Sequence, residues 1–168
     1  MAAILEDPQN ANTAQAFVPG KYLSFQLGEE MYGISVNHIR EIISIQQITP
    51  VPHKPDYVKG IMNLRGKVIP VMDMRIKFGL GDESFDECTC IVVVMVEDED
   101  GQEFTAGLIV DSVDEIMRIH EEDFESDPGV GNSSTTAHVI GLAKGRDNLI
   151  SLLNIERVVV DETFADML

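Results

Sequence analysis

Three features of the chain predict a mainly β fold. Roughly ten short stretches alternate polar with apolar residues or run apolar over strand length. Turn-forming residues punctuate them about every 8–12 residues, the spacing of a β-sandwich or barrel. The run TCIVVVMV at 89–96 is continuously apolar over strand length.

Residues 1–20 are rich in Ala, Asn, Gln and Pro without a clear period and read as a flexible tail. From Lys21, Leu23, Phe25 and Leu27 alternate with Tyr22, Ser24 and Gln26, giving a strand of period two. Gly28-Glu29-Glu30 turns the chain, and 31–36 returns to close a hairpin. Val36, Ile39, Ile42 and Ile43 shift to helical spacing, which predicts a short helical turn over 36–43. The stretch 45–51 then extends into a loop stiffened by Pro52 and Pro55.

Two apolar stretches, 58–64 and 68–74, flank Arg65-Gly66-Lys67. The first reads as helix or strand and the second as a strand. Pro70 assigns the second to an edge or a bulge, because proline lacks the ladder donor. Arg65 falls at the turn, where a long cation can reach a partner.

After Phe78 comes a polar loop, GLGDESFDE. Strands over 89–96 and 103–110 form a hairpin across the turn 98–101, and 114–119 is a further strand. Residues 121–136 are acidic and small, and read as a long exposed loop. A last hairpin joins 138–144 to 148–153 around Gly145-Arg146-Asp147. Asn154 is placed to cap a short helix over 154–159, and 162–168 is a short tail.

The 168 residues suffice for one domain, or two small lobes sharing cores. Trp is absent, so Val, Ile, Leu and Met must fill the interior. A net charge of −17 argues against nucleic acid and against docking on anionic lipid; it reads first as solubility, and in a sharper reading as a preference for basic surfaces on partners. Cys88 and Cys90, two apart, would share one face of a strand with Cα atoms about 6.5 Å apart. They read as reduced, buried thiols in a cytosolic setting. No apolar run approaches the roughly 20 residues of a membrane span. The N-terminus lacks a basic region before an apolar one, so the chain is expected to remain in the cytoplasm, with no direct membrane insertion.

Catalytic chemistry has no assembled motif. Arg65-Gly66-Lys67-Val68 lacks the leading glycines and the Ser or Thr of a phosphate loop. There is no G-x-S-x-G elbow. Aligning Asp98, Asp100 and Gly101 to a calcium loop puts Val96 at the first ligand position and Gly107 at the twelfth, so that pattern fails. His38, His53, His120 and His138 are scattered. No enzyme activity, cofactor or metal is expected.

The segment 57–78, YVKGIMNLRGKVIPVMDMRIKF, carries Gly60, Asn63, Leu64, Arg65, Gly66, Pro70, Asp73, Met74 and Arg75 in a composite pattern. It resembles the CheW-like domain family of bacterial chemotaxis coupling proteins. YLSFQLGEEMYGISVNHIREII, GLIVDSVDEI and IGLAKGRDNLISLLNIERVV extend the resemblance over about 21–161.

The resemblance implies two packed SH3-like five-stranded β-barrel lobes with short helices. One lobe is centred on each half of the chain, and terminal segments are exchanged between them. It implies a non-catalytic adaptor joining the cytoplasmic tip of chemoreceptors to the regulatory domain of the histidine kinase CheA. Such an adaptor is recruited to membrane-bound receptor arrays and self-associates only within them. By the same resemblance Ile39, Glu41, Arg65, Val113 and Ile116 bind receptor, and Lys59, Gly60 and Val68 border the kinase surface. The residues also admit plainer readings: Arg65 tying its turn to a carbonyl or to Asp73, Ile39 as core, and Gly60 present for a tight backbone. Other functions in view are a scaffold for a different receptor–kinase system, a small β-barrel enzyme or ligand-binding protein, and an acidic mimic whose binding collapses at moderate salt.

Overall fold

The computed structural model describes residues 17–80, 84–126, 138–146 and 148–159. Strands dominate: β1 Gly20–Leu27, β2 Glu30–Ser35, β3 Ile39–Ser44, β4 Val58–Leu64, β5 Lys67–Asp73, β6 Cys90–Glu97, β7 Glu103–Val110, β8 Ser112–Ile119, β9 Phe124–Ser126, β10 Val139–Lys144 and β11 Leu149–Leu153. Two short helices, α1 (Met74–Lys77) and α2 (Ile155–Val159), follow β5 and β11. Among the described residues no helix is long and apolar enough to cross a membrane.

The strands form two sheets. One has the order β3-β6-β7-β5-β4 and uses the chain continuously from Ile39 to Val110. The segment leaving β3 swings round so that Thr49 bridges Ile61 of β4 through N–O contacts of 2.8 and 2.9 Å. That bridge brings the chain beyond one edge strand against the opposite edge. Met62, Ile69, Val71, Ile91, Val93 and Ile109 fill the interior.

The other sheet, β8-β1-β2-β11-β10-β9, unites the N-terminal hairpin with the C-terminal strands. Its junction is the parallel pairing of β11 with β2, Ser151 beside Tyr32. The lobes are therefore not the two halves of the chain: the first hairpin belongs with the second half.

A third, larger cluster lies between the sheets. Leu23, Phe25, Leu27, Tyr32 and Ile34 meet Val92, Val94, Val96 and Leu108 there. This explains the apolar run of β6: Ile91 and Val93 face one lobe's interior, while Val92, Val94 and Val96 face the partner sheet. Each such burial is worth about 1.5–3 kcal/mol.

Several expectations need correction. Only Val36–His38 is helical, a 3-10 turn capped by the Ser35 hydroxyl accepting from the Asn37 N–H. Ile39–Ser44 is a strand, because pairing with β6 overrides a weak helical spacing of β-branched residues. The stretch before Arg65 is likewise a strand. Strand β5 is not an edge, since it pairs with both β4 and β7. Pro70 is tolerated because it stands opposite Ile61 of β4, and the parallel ladder to β7 begins one residue later, at Val71. Residues 121–126 form a 3-10 turn and β9, and the rest of the acidic stretch lies outside the described residues. Cys88 is exposed in a turn and Cys90 is half-buried, so the two do not share a buried strand face. Burial, with Cys88 adding a smaller effect, pushes the Cys90 thiol up.

The stretches 1–16 and 162–168, read as tails, lie outside the described residues. Phe17 stacks on Phe124 at 4.3 Å and on Tyr22 at 5.9 Å.

Candidate docking site

The β4–β5 hairpin turns through Arg65 and Gly66, with φ of 53° and 85°. Two successive positive φ values make the two-residue turn that matches strand twist. Gly66 takes this conformation without cost, but Arg65 does not. Asn63 Oδ1 steadies the turn by accepting from the Gly66 N–H at 2.9 Å.

The strained turn aims Arg65 at β3. Its Nη2 donates to Glu41 Oε1 at 2.7 Å, and its Nη1 donates to Oε2 of the same carboxylate. The pair is bidentate, the strongest geometry for these groups. The Arg65 side chain nevertheless stays 71% exposed and that of Glu41 25%. The guanidinium holds the Glu41 carboxyl below its ordinary value, and the carboxylate raises Arg65. Exposed ion pairs contribute little to stability. This one is better suited to presenting charge in a fixed direction.

Asp73 is not the partner of Arg65. It is fully buried with Arg75, accepting from Nη2 at 2.8 Å and Nε at 3.0 Å. Its Oδ1 also caps α1 by accepting the Arg75 N–H.

Around the Glu41–Arg65 pair, β3 carries a register shift between Ile39 and Glu41. Ile39 is half-buried and packs against the cluster between the sheets. Ile42, paired with Val92 as Ile39 is with Val94, shares the face of Ile39 and lies opposite Glu41; at 43% exposure it is an apolar group that sequence reasoning missed. Its position in the alternation of Ile39–Ser44 is the signal that would have found it, had that stretch been read as a strand.

Val113 also packs against the cluster between the sheets, from the other lobe. Ile116, three residues along β8, pairs with Leu23 as Val113 pairs with Phe25. The register shift at Asp114 puts the two on one face, where Ile116 is 59% exposed. The structure thus joins Glu41 to Arg65 and seats Ile39 and Val113 on one apolar cluster, with Ile116 exposed on the same face of β8 as Val113.

The three residues near the second expected surface differ in character. Gly60 is buried with φ 140°, and a Cβ there would lie 2.0 Å from the Thr49 carbonyl oxygen. Glycine is required by this close approach. Lys59 is half-buried at the β4 register shift. Val68 is 61% exposed on a ridge between two open clefts. One cleft, of about 450 Å³, runs along Gln46, Gln47, Thr49 and Asn63, and the other, of about 380 Å³, reaches Phe104. Among the described residues no cluster of three or more His, Cys, Asp or Glu could hold a metal.

The family described as the CheW-like domain matches residues 21–163. The chemotaxis protein CheW of Klebsiella aerogenes is 32% identical over 145 residues, covering 86% of this chain and 84% of the relative. That of Thermotoga maritima is 31% identical over 154 residues, covering 89% and 94%. A solved structure, the scaffolding protein TtCheW from Thermoanaerobacter tengcongensis, superposes with a TM-score of 0.71 at 39% identity, covering 81% of this chain and 89% of that one.

Proposed function

The chain belongs to the CheW-like domain family, and on that premise we propose that it is a non-catalytic chemotaxis adaptor coupling chemoreceptors to the histidine kinase CheA. The observation that carries the docking reading is that Ile39 and the exposed Ile42 share one face of β3, while Glu41 on its other face holds Arg65 in a bidentate pair. An exposed aliphatic face is what the apolar side of an amphipathic receptor helix requires. Val113 completes this rim from the other lobe, and Ile116 extends it along β8.

The kinase's regulatory domain meets the region of Lys59 and Val68. Gly60 serves this surface indirectly, by letting Thr49 close onto β4. Holding both partners turns two weak encounters into one at an effective concentration on the order of millimolar. Receptor state then shifts the kinase between populations according to its differential affinity for them. The protein acts in the cytoplasm and is recruited to membrane-bound arrays through these contacts.

Amide NMR titration of labelled protein tests this, first with a soluble receptor-tip fragment and then with the kinase regulatory domain. Two separate shifted patches are expected, one including Ile39, Glu41, Arg65 and Val113 and the other Lys59 and Val68. Absence of shifts with both partners at tens of micromolar overturns the reading.

A further inference from the structure

Asp111 sits where the chain leaves one sheet for the other, between β7 and β8. Its carboxylate holds both. Oδ2 accepts from the Gly28 N–H at 2.7 Å, at the turn of the β1–β2 hairpin. Oδ1 accepts from Arg75 Nη1 at 3.2 Å, in the other lobe. Its backbone N–H donates to the Gln26 carbonyl at 3.0 Å.

Arg75 is itself immobilised. It is fully buried, bonded twice to the buried Asp73 through its side chain, and it donates to the Ser84 carbonyl at 2.8 Å. Phe85 covers the guanidinium at 5.2 Å. The carbonyl of Leu80, whose N–H donates to the Arg75 carbonyl, lies 3.1 Å from where a Cβ on Gly28 would stand. A chain of directional bonds therefore runs Asp73–Arg75–Asp111–Gly28 across the boundary between the lobes.

The rest of that boundary is the large apolar cluster. Apolar burial is strong but non-directional, so it resists separation better than it resists sliding. Hydrogen bonds fix distance and angle. Ile39 and Val113 rim this cluster from opposite sheets, and Val113 lies two residues beyond Asp111. Their separation depends on how the lobes register.

We propose that Asp111, gripped by Arg75, is a positioning residue that sets the register between the two lobes and so holds the aliphatic docking rim in its binding shape. The rim's role rests on the adaptor reading above; the clasp itself does not.

The test is Asp111→Asn in the full chain. The amide keeps one acceptor oxygen but turns a donor toward either Gly28 or Arg75. Spin labels at positions 102 and 144, with Cys88 and Cys90 replaced by Ser, report the spread of distances between lobes. Three changes are expected: a broadened distance distribution, at least tenfold faster exchange of the Gly28 amide, and at least tenfold weaker binding of a receptor-tip fragment. Ile150→Val, within one lobe's own cluster, serves as a control and should lower stability without weakening binding. An unchanged distance distribution, or unchanged binding despite a broadened one, overturns the proposal. If the wild-type chain fails to bind the fragment, the adaptor reading falls and the distance distribution alone decides the clasp. Should Asp111→Asn not fold, Asp111→Glu is measured instead, because its longer side chain cannot satisfy both partners at once.

Discussion

Gly60 and Thr49 approach so closely that a single added carbon would overlap: a Cβ on Gly60 would lie 2.0 Å from the Thr49 carbonyl oxygen. The same two residues exchange no bond directly, since Thr49 pairs with the neighbouring Ile61. Gly60 is the gap that lets the chain beyond β3 close onto β4.

Gly60→Ala should therefore be severe. The residue has φ 140°, which costs a side chain about 1–3 kcal/mol. Overpacking against backbone adds about 1–3 kcal/mol more. Urea denaturation should show a loss of about 2–6 kcal/mol with an unchanged slope. The amides of Thr49 and Ile61 should exchange fastest relative to wild type. A loss under about 1 kcal/mol would mean that the bridge relaxes freely and the apparent tightness is not structural.

The Asp73–Arg75 pair predicts a different failure. Both side chains are wholly buried, so Arg75→Met strands the Asp73 carboxylate in a low dielectric, whereas Asp73→Ala leaves Arg75 the partly exposed Asp111 as a carboxylate partner. Arg75→Met in the presence of the intact aspartate should cost about 3–5 kcal/mol, and Asp73→Ala less, because Asp111 still faces the guanidinium. Replacing both together with Leu and Met should recover part of the loss, because the desolvation cost disappears with the charges. Additive losses in this double-mutant cycle would contradict the pairing.

Much of this architecture was legible from local pattern, because strands of period two and their turns are decided within a few residues. The 21–27 alternation, the turn at 98–101 and the Asn154 cap all reappear, the last with the Arg157 N–H donating to Asn154 Oδ1 at 3.2 Å. What was not legible depends on distant pairing. Ile39–Ser44 carries helical spacing by coincidence of β-branched residues and becomes a strand only because β6 offers a ladder. The division into lobes rests on Ser151 lying beside Tyr32, which no local window encodes. At the site, the family pattern pointed to Glu41 and Arg65 separately. Their bond spans 24 residues and needed the fold to bring it about. Asp111 carried no signal of its own, since its role appears only when Gly28 and Arg75 converge on it.

The ion pair of the docking site makes a prediction in pH. Arg65 holds the folded-state pKa of Glu41 below its ordinary value. The contribution is therefore fully present above the ordinary carboxylate value of about 4.3 and is lost as pH falls through the lowered one. Carboxyl carbon NMR of Glu41 should titrate below a free glutamate in wild type and return upward in Arg65→Ala. High salt should narrow the difference, because the pair is exposed. Equal titration in the two proteins would show that the guanidinium does not rest on Glu41 in solution.

The turn beneath that pair separates stability from docking. Arg65 occupies the left-handed region, where a long side chain is disfavoured and Asn is well tolerated before Gly. Arg65→Asn should therefore improve the turn, raising Tm by about 2–4 °C. The same change deletes the guanidinium that Glu41 holds in place, and binding of a receptor-tip fragment should fall about tenfold or more. A substitution that stabilises the fold while weakening docking cannot be explained by local unfolding. It would mean that the strained arginine is kept for its contact and not for the turn. If Arg65→Asn instead lowers Tm and leaves binding intact, the bond to Glu41 is a staple between β3 and the hairpin, and the contact surface lies elsewhere on the rim.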